Sequence, residues 1–344
     1  MNNKAAWIPE FKGRPLKIDS APYTKPGPGQ LVIKNAAFAI NPVDWKVQEH
    51  GFLMQKFPNI LGSDVAGHVQ EVGEGVTRFK PGDRVISYAI GLPKDNNPTL
   101  AGFQLYTVVE VAVTCHIPDS MAFENAVVHP LAISTAAEGL YEPYHLALPF
   151  PAAARKQTSY QQQKKCLLVW GGASSVGSTA IQLAVASGLD VITTASARSA
   201  PSVKALGAKV VVDYNSPSMT DALVAAVKSF GGQSTFMGIY DAIGQGGWQE
   251  VLQKLGGGRV AIVLPFSEEV PPYVTLSQVW AGVLVDHPEV ADAVWRDFVP
   301  EALETGRLRP RADPMVIPGG LEKVQEGMDR LRQGVSAPKV VVTL

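Results

Sequence analysis

The spacing of apolar residues changes character along this chain. Ahead of Phe123, apolar residues come in short runs separated by glycine, proline and polar turns. This is the rhythm of strands in a mostly antiparallel domain. The runs are Leu31–Ile40, entered from Pro26-Gly27-Pro28-Gly29, then Val65–Gly73, then Val85-Ile86 behind the turn Pro81-Gly82-Asp83. Tyr106–Val109 and Val111–Val113 read as a further pair of strands. From Phe123 through Leu140 the spacing is helical. Pro143–Lys165 carries prolines, an Ala152-Ala153-Ala154 run, Gln161-Gln162-Gln163 and basic residues, and reads as a surface loop. From Cys166 onward, apolar runs alternate with helical stretches. Strands are predicted at Leu167–Trp170, Val191–Thr194, Val210–Val212, Ile239–Ile243 and Arg259–Val263. Helices are predicted through Ala180–Ala184 and over Ser202–Leu206, Met219–Phe230 and Trp248–Leu255. This order predicts an α/β fold with a doubly wound parallel sheet. The tail adds an amphipathic helix, Leu321–Gln333, and an extended run, Lys339–Leu344.

A chain of 344 residues has room for two domains. Hydrophobic residues make up 46% and charged residues 18%, an ordinary globular composition. With 30 basic and 31 acidic residues the formal net charge is -1, and no basic stripe marks a nucleic-acid or membrane-surface partner. No apolar run approaches the ~20 residues of a membrane span. Met1–Trp7 lacks the apolar core of a signal peptide, so a cytoplasmic location is expected. The two cysteines, Cys115 and Cys166, cannot build a zinc cluster or a disulfide framework. None of the six histidines shows metal-ligand spacing, and a Gly-x-Ser-x-Gly hydrolase elbow is absent from the glycine turn.

The chemistry concentrates at Gly171-Gly172-Ala173-Ser174-Ser175-Val176-Gly177, between the first predicted parallel strand and its helix. Free N–H groups at such a helix start attract a pyrophosphate, and small side chains let the backbone approach it. Gly171 and Gly177 fit the outer positions of a dinucleotide fingerprint, with Ser174 in the middle. Alone, this pattern also fits an ordinary strand–helix turn. The following strand decides more. An NAD site places an acid there for the ribose 2′-hydroxyl. Thr194-Ala195-Ser196-Ala197-Arg198-Ser199 contains none. Hydroxyls and an arginine suit a 2′-phosphate, so NADP(H) is preferred. The competing reading of Arg198 is a solvated surface charge.

Further landmarks run through the chain: Ile40-Asn41-Pro42-Val43-Asp44-Trp45-Lys46, Leu61–Gly67, Val72–Val76, Pro81–Val85, Ile133–Ala136, Leu206–Ala208, Val212–Tyr214 and Gly257–Val260. With these the sequence resembles the zinc-independent medium-chain dehydrogenase/reductases, most closely the fungal trans-acting enoyl reductases of polyketide synthesis (the lovastatin enoyl reductase type). The resemblance implies a GroES-like catalytic domain over 1–127 and 267–344 and a Rossmann domain over 128–266. Zinc-dependent relatives carry a Gly-His-Glu where this chain has Gly62-Ser63-Asp64, and a cysteine lobe where Gly91–Phe103 has no cysteine. Serine and a lone carboxylate are poor zinc ligands. Without a Lewis acid, hydride transfer is easier to a conjugated C=C than to a bare carbonyl.

The resemblance also implies residue roles. Val43, Asp44, Trp45 and Lys46 would contact NADPH. Ser174 and the segment Ser175, Val176, Gly177 and Ser178 would seat its pyrophosphate. Ser196, Arg198, Ser199 and Tyr214 would surround the 2′-phosphate and adenosine, while Leu264, Pro265, Ala337, Pro338 and Lys339 would close on the cofactor. Lys46 would orient the substrate carbonyl or supply a proton, and Thr135 would hold the carboxamide or the enolate oxygen. The plainer readings are a surface lysine and a helix-packing hydroxyl. Ala137, Tyr141, Trp280 and Gly282 would line the substrate cavity, with core packing the alternative for the aromatics. The expected partner is a small-molecule or acyl substrate, delivered by a polyketide synthase in this family, with the chain a monomer or homodimer. The alternatives are a quinone- or enone-detoxifying reductase and a non-redox enzyme, such as a cyclase, on the same fold.

Overall fold

Short apolar runs bounded by turns become antiparallel strands in one part of the molecule, and continuous ones become parallel strands in the other. The computed structural model describes residues 1–152, 165–311, 313–335 and 338–344. The chain divides into two units, Met1–Leu131 with Ala312–Leu344, and Ala132–Arg311.

In the first unit a seven-stranded sheet contains Gln30–Ala39, Asp64–Val72, Arg84–Tyr88, Thr114–His116, Tyr106–Glu110, Val340–Thr343 and Met315–Pro318. Only the last two pair in parallel; the other neighbours are antiparallel. A smaller sheet joins Asn3–Ile8 to Lys17–Ala21 and Asn59–Ile60. Leu31, Ile33, Phe38, Val65, Val85, Phe103 and Val342 are buried in the core of this unit. The β-rich expectation therefore holds. One detail differs: Val111–Val113 is a single 3-10 turn, and the strand follows it at Thr114–His116. Helix Val324–Arg332 fulfils the predicted amphipathic segment, one short 3-10 turn later than its expected start.

In the second unit all six strands are parallel, in the order Val210–Asp213, Asp190–Ala195, Cys166–Trp170, Phe236–Asp241, Gly258–Ile262, Val274–Gln278. Numbered along the chain, this is the doubly wound order 3-2-1-4-5-6, which reverses direction between Cys166–Trp170 and Phe236–Asp241. Cys166–Trp170 is buried along its whole length, as a central strand covered on both faces must be. The Rossmann expectation is met, but its boundary is corrected. Residues 267–311, expected with the β-rich domain, belong to the second unit. The reason is the sixth strand, Val274–Gln278, which hydrogen-bonds in register to Gly258–Ile262. The division near the other end falls inside helix Pro130–Tyr141, not at residue 127. Of the expected loop Pro143–Lys165, residues 143–152 contain turns and no helix or strand, and 153–164 lie outside the described residues. Among the described residues no helix is long and apolar enough to cross a membrane.

Candidate active site

In the second unit the glycine turn sits where ligands bind in open parallel sheets, outside the strand ends at the reversal of strand order. Gly171 has φ +78, a left-handed conformation that favours glycine, and its N–H donates to Thr194 Oγ1 at 2.9 Å. Ser174 caps helix Ser175–Ala186. Its hydroxyl donates to the Gly171 carbonyl at 2.9 Å and accepts the Gly177 N–H at 3.0 Å. Gly177 is required for a different reason: a Cβ there would lie 2.3 Å from the Gly171 carbonyl oxygen. The helix can start this close to the turn only if that position has no side chain.

The cap also narrows which donors face outward. Gly177 N–H is taken by Ser174 Oγ and Ser178 N–H by the Ser174 carbonyl, while the Ser178 hydroxyl turns back to the Ser175 carbonyl at 2.9 Å. Among the described residues the N–H groups of Ser175 and Val176 keep no partner. Of the expected segment Ser175–Ser178, these two donors, with the positive end of the helix dipole, fit a pyrophosphate.

The corner after Asp190–Ala195 closes on itself. Ser199 N–H and Ser196 Oγ meet at 3.3 Å, and Ser196 Oγ donates to Ser199 Oγ at 3.3 Å. Arg198 is exposed and has no ion-pair partner among the described residues. Tyr214 is exposed at 54%, and Leu264 and Pro265 are exposed beyond strand Gly258–Ile262. On the neighbouring strand, buried Asp241 accepts from the N–H groups of Ile243 and Gly244 and from Trp248 Nε1 at 3.1, 2.8 and 3.0 Å. It thereby fixes the loop at the reversal point, although burial pushes its carboxyl above the ordinary range. This clamp was not foreseen from the sequence.

Helix Pro130–Tyr141 carries three of the expected site residues. Thr135 is half-buried, and its carbonyl accepts the Tyr240 hydroxyl at 2.8 Å. Ala137 is fully buried. Tyr141 is buried too, with its hydroxyl 3.0 Å from Ser187 Oγ and its ring edge-on to Phe150, which is the packing role weighed against cavity lining. Trp280 is 41% exposed, ahead of buried Gly282.

In the first unit Asn41 precedes helix Pro42–His50, and its N–H donates to Asp44 Oδ2 at 2.7 Å. Asp44 thus holds the helix start, and burial pushes its carboxyl up to about 7, with the charge of Asp64 adding to the rise. Val43 and Trp45 pack against the core. Trp45 also lines a cleft of about 180 Å³ with Arg14, Asp329 and Arg332. Lys46 is half-buried, with Nζ 5.8 Å from the Trp45 ring centre. Pro338 is half-buried, and Ala337 lies outside the described residues. Lys339 turns inward: Nζ is 3.0 Å from Asp64 Oδ2 and also donates to Asn41 Oδ1. Asp64 accepts Asn41 Nδ2 at 2.8 Å and the Leu131 N–H at 2.6 Å. The family resemblance pointed to Lys339 as a cofactor contact, and nothing in the sequence gave a sign of this buried pair.

Residues 27–119 match the family of the alcohol dehydrogenase GroES-like domain, and residues 175–281 match the zinc-binding dehydrogenase family. The chain is 42% identical to the trans-enoyl reductase himH of Aspergillus japonicus, across 99% of this chain and 97% of that protein. This chain is a medium-chain dehydrogenase/reductase. The dehydrogenase pigH of Monascus ruber is 39% identical over 99% of each chain, and the trans-enoyl reductase tndF of Aspergillus flavipes is 32% identical over 99% of each. An alcohol dehydrogenase superfamily protein from Novosphingobium aromaticivorans superposes with a TM-score of 0.79 at 26% identity, covering 99% of both chains.

One of the two family names carries zinc, which can be tested against the donors of this medium-chain dehydrogenase/reductase. At the Gly62-Ser63-Asp64 position the carboxylate already faces an ammonium, Lys339, and two N–H donors. The nearby imidazole, His129, is buried and held down to about 4 by burial and by the Lys339 charge. A dication there would sit beside a fixed cation, with no thiolate among its donors, so this set does not fit zinc.

Proposed function

We propose that this medium-chain reductase uses NADPH to reduce a conjugated C=C of an enoyl or enone substrate in fungal secondary metabolism, without zinc. The observation that carries the reading is the likeness to trans-enoyl reductase himH over nearly the whole of both chains. The acid-free corner Ser196–Arg198–Ser199 supports NADPH over NADH. Bound NADPH supplies a hydride. Ser175 and Val176 N–H groups hold the pyrophosphate, and Arg198 with Ser196 holds the 2′-phosphate. As the substrate's β-carbon gains hydride, the C=C electron pair moves onto the carbonyl oxygen, and the α-carbon then takes a proton. Lys46 orients that carbonyl or delivers the proton, and Thr135 holds the enolate oxygen. An acyl substrate delivered by a polyketide synthase fits the same chemistry.

The test is NADPH oxidation in the presence of crotonyl and longer α,β-unsaturated thioesters, simple enones and quinones. Oxidation with the thioesters and little with quinones is expected. Preference for quinones would support a detoxifying reductase instead, and tight NADPH binding with no turnover on any of them would overturn the reductase reading.

A further inference from the structure

In the second unit, four side chains of metal-ligand type meet at the C-terminal end of helix Pro130–Tyr141. Glu138 and Glu142 stand one helical turn apart, and His145 follows in the next turn. His287, just ahead of Pro288–Ala291, comes in from a distant part of the sequence. His287 Nδ1 is 3.0 Å from Glu138 Oε2 and 3.3 Å from Glu142 Oε1. One ligand atom from each of Glu138, Glu142 and His287 lies within 4.8 Å of the others. Ligands at about 2.1 Å around a tetrahedral zinc stand about 3.4 Å apart, so this spacing needs little adjustment to close on an ion.

Acidic groups around a histidine do not by themselves make a site, since a protonated His287 could bridge both carboxylates. His145 supplies the independent observation. Its side chain is 1% exposed, and Nε2 has no hydrogen-bond partner although it is 3.8 Å from Glu138 Oε1. The other ring nitrogen explains why. Nδ1 is 2.7 Å from Ser277 Oγ, and that hydroxyl donates to the Val260 carbonyl at 3.3 Å. Ser277 must therefore accept from Nδ1–H, which leaves a lone pair on Nε2. A buried nitrogen without a partner beside the carboxylates is a donor left for a cation, and an imidazole fixed through its other nitrogen is how histidine ligands are oriented.

We propose that Glu138, Glu142, His145 and His287 bind one divalent transition-metal ion of the zinc class. Two carboxylates and two imidazole nitrogens match its charge and its preference for nitrogen and oxygen donors. Glu138 offers Oε2, because Oε1 accepts the Tyr144 hydroxyl. The ion would tie the end of helix Pro130–Tyr141 to the segment around His287 inside one unit. It takes no part in the hydride transfer proposed above.

Full-length protein stripped with a chelator and titrated with zinc chloride by calorimetry tests this, with cobalt(II) absorption reporting the donor set. One equivalent bound at or below about 1 µM is expected, with a rise in melting temperature. His287→Gln and the isosteric Glu142→Gln should each weaken binding at least tenfold while NADPH binding is unchanged. Ser277→Ala, which frees Nδ1, should weaken it about 10–100-fold. Should one of the first two variants fail to fold, the other reads the same site. No stoichiometric zinc binding, or binding that survives both Glu142→Gln and His287→Gln, would overturn the proposal.

Discussion

At the scale of a single residue, the proposed preference for NADPH rests on Arg198. It is exposed, without an ion-pair partner among the described residues, and two positions beyond Ser196. A charge-assisted hydrogen bond to a phosphate is worth about 1.5–3 kcal/mol. Arg198→Ala should therefore raise the dissociation constant for NADPH about ten- to a hundredfold and leave that for NADH nearly unchanged, measured by fluorescence titration. Equal losses for both would contradict the 2′-phosphate role. That corner stands out as a candidate in the sequence because its signal is local, an acid replaced by hydroxyls and an arginine within a few residues. Ser174 was half legible. Its place in the fingerprint could be read, but its use as a cap that withdraws Gly177 and Ser178 from the list of donors required the turn geometry. Lys339 and Asp64 were not legible as a pair, because no pattern within either segment announces a partner across the whole chain.

At the scale of elements, that pair joins the start of strand Val340–Thr343 to strand Asp64–Val72 and, through Asn41, to the start of helix Pro42–His50. Removing one partner of a buried ion pair leaves an uncompensated charge and costs about 3–5 kcal/mol. Lys339→Met should lose about that much in urea unfolding, and Asp64→Asn in the same chain should restore a large part of it, because the stranded charge is gone. Equal losses in the single and double variants would show that packing, not the charge, is what Lys339 contributes. The elements themselves were mostly readable, since central parallel strands are continuous apolar runs and antiparallel ones are bounded by turns. The failure at Val274–Gln278 has a physical cause. It is an edge strand with only its first residue buried, so it shows no continuous apolar run and the sequence gives no sign of a sixth parallel strand. The glutamate–histidine cluster has no local signature for a related reason: His287 lies far from Glu138 in sequence.

For the whole molecule, buried ionisable groups set opposite slopes of stability against pH. His129 in the first unit and His145 in the second are both held down to about 4 from 6.5, chiefly by burial. Between those values the unfolded chain binds protons that the folded chain refuses, so each histidine lowers stability as the pH falls through that window. Asp44 acts in the other direction. Its carboxyl is raised from 3.8 to about 7, so the folded chain keeps a proton that the unfolded chain releases, and stability drops as pH rises across that range. Glu142 and Asp241, also raised by burial, add to the second slope, so the wild-type profile alone does not separate the groups. Differences between variant and wild type do, because everything they share cancels. Melting temperatures taken from pH 4 to 8 should show His129→Gln gaining on wild type as the pH falls, and Asp44→Asn gaining as it rises. Each difference should change by at most about 1.4 kcal/mol per pH unit for one proton. The same slope in both variants, or none in either, would mean that these groups do not exchange protons on folding. Because the two windows overlap, two opposed slopes would largely offset each other in the wild type and show that buried ionisable groups, not the nearly balanced net charge of -1, shape its pH dependence.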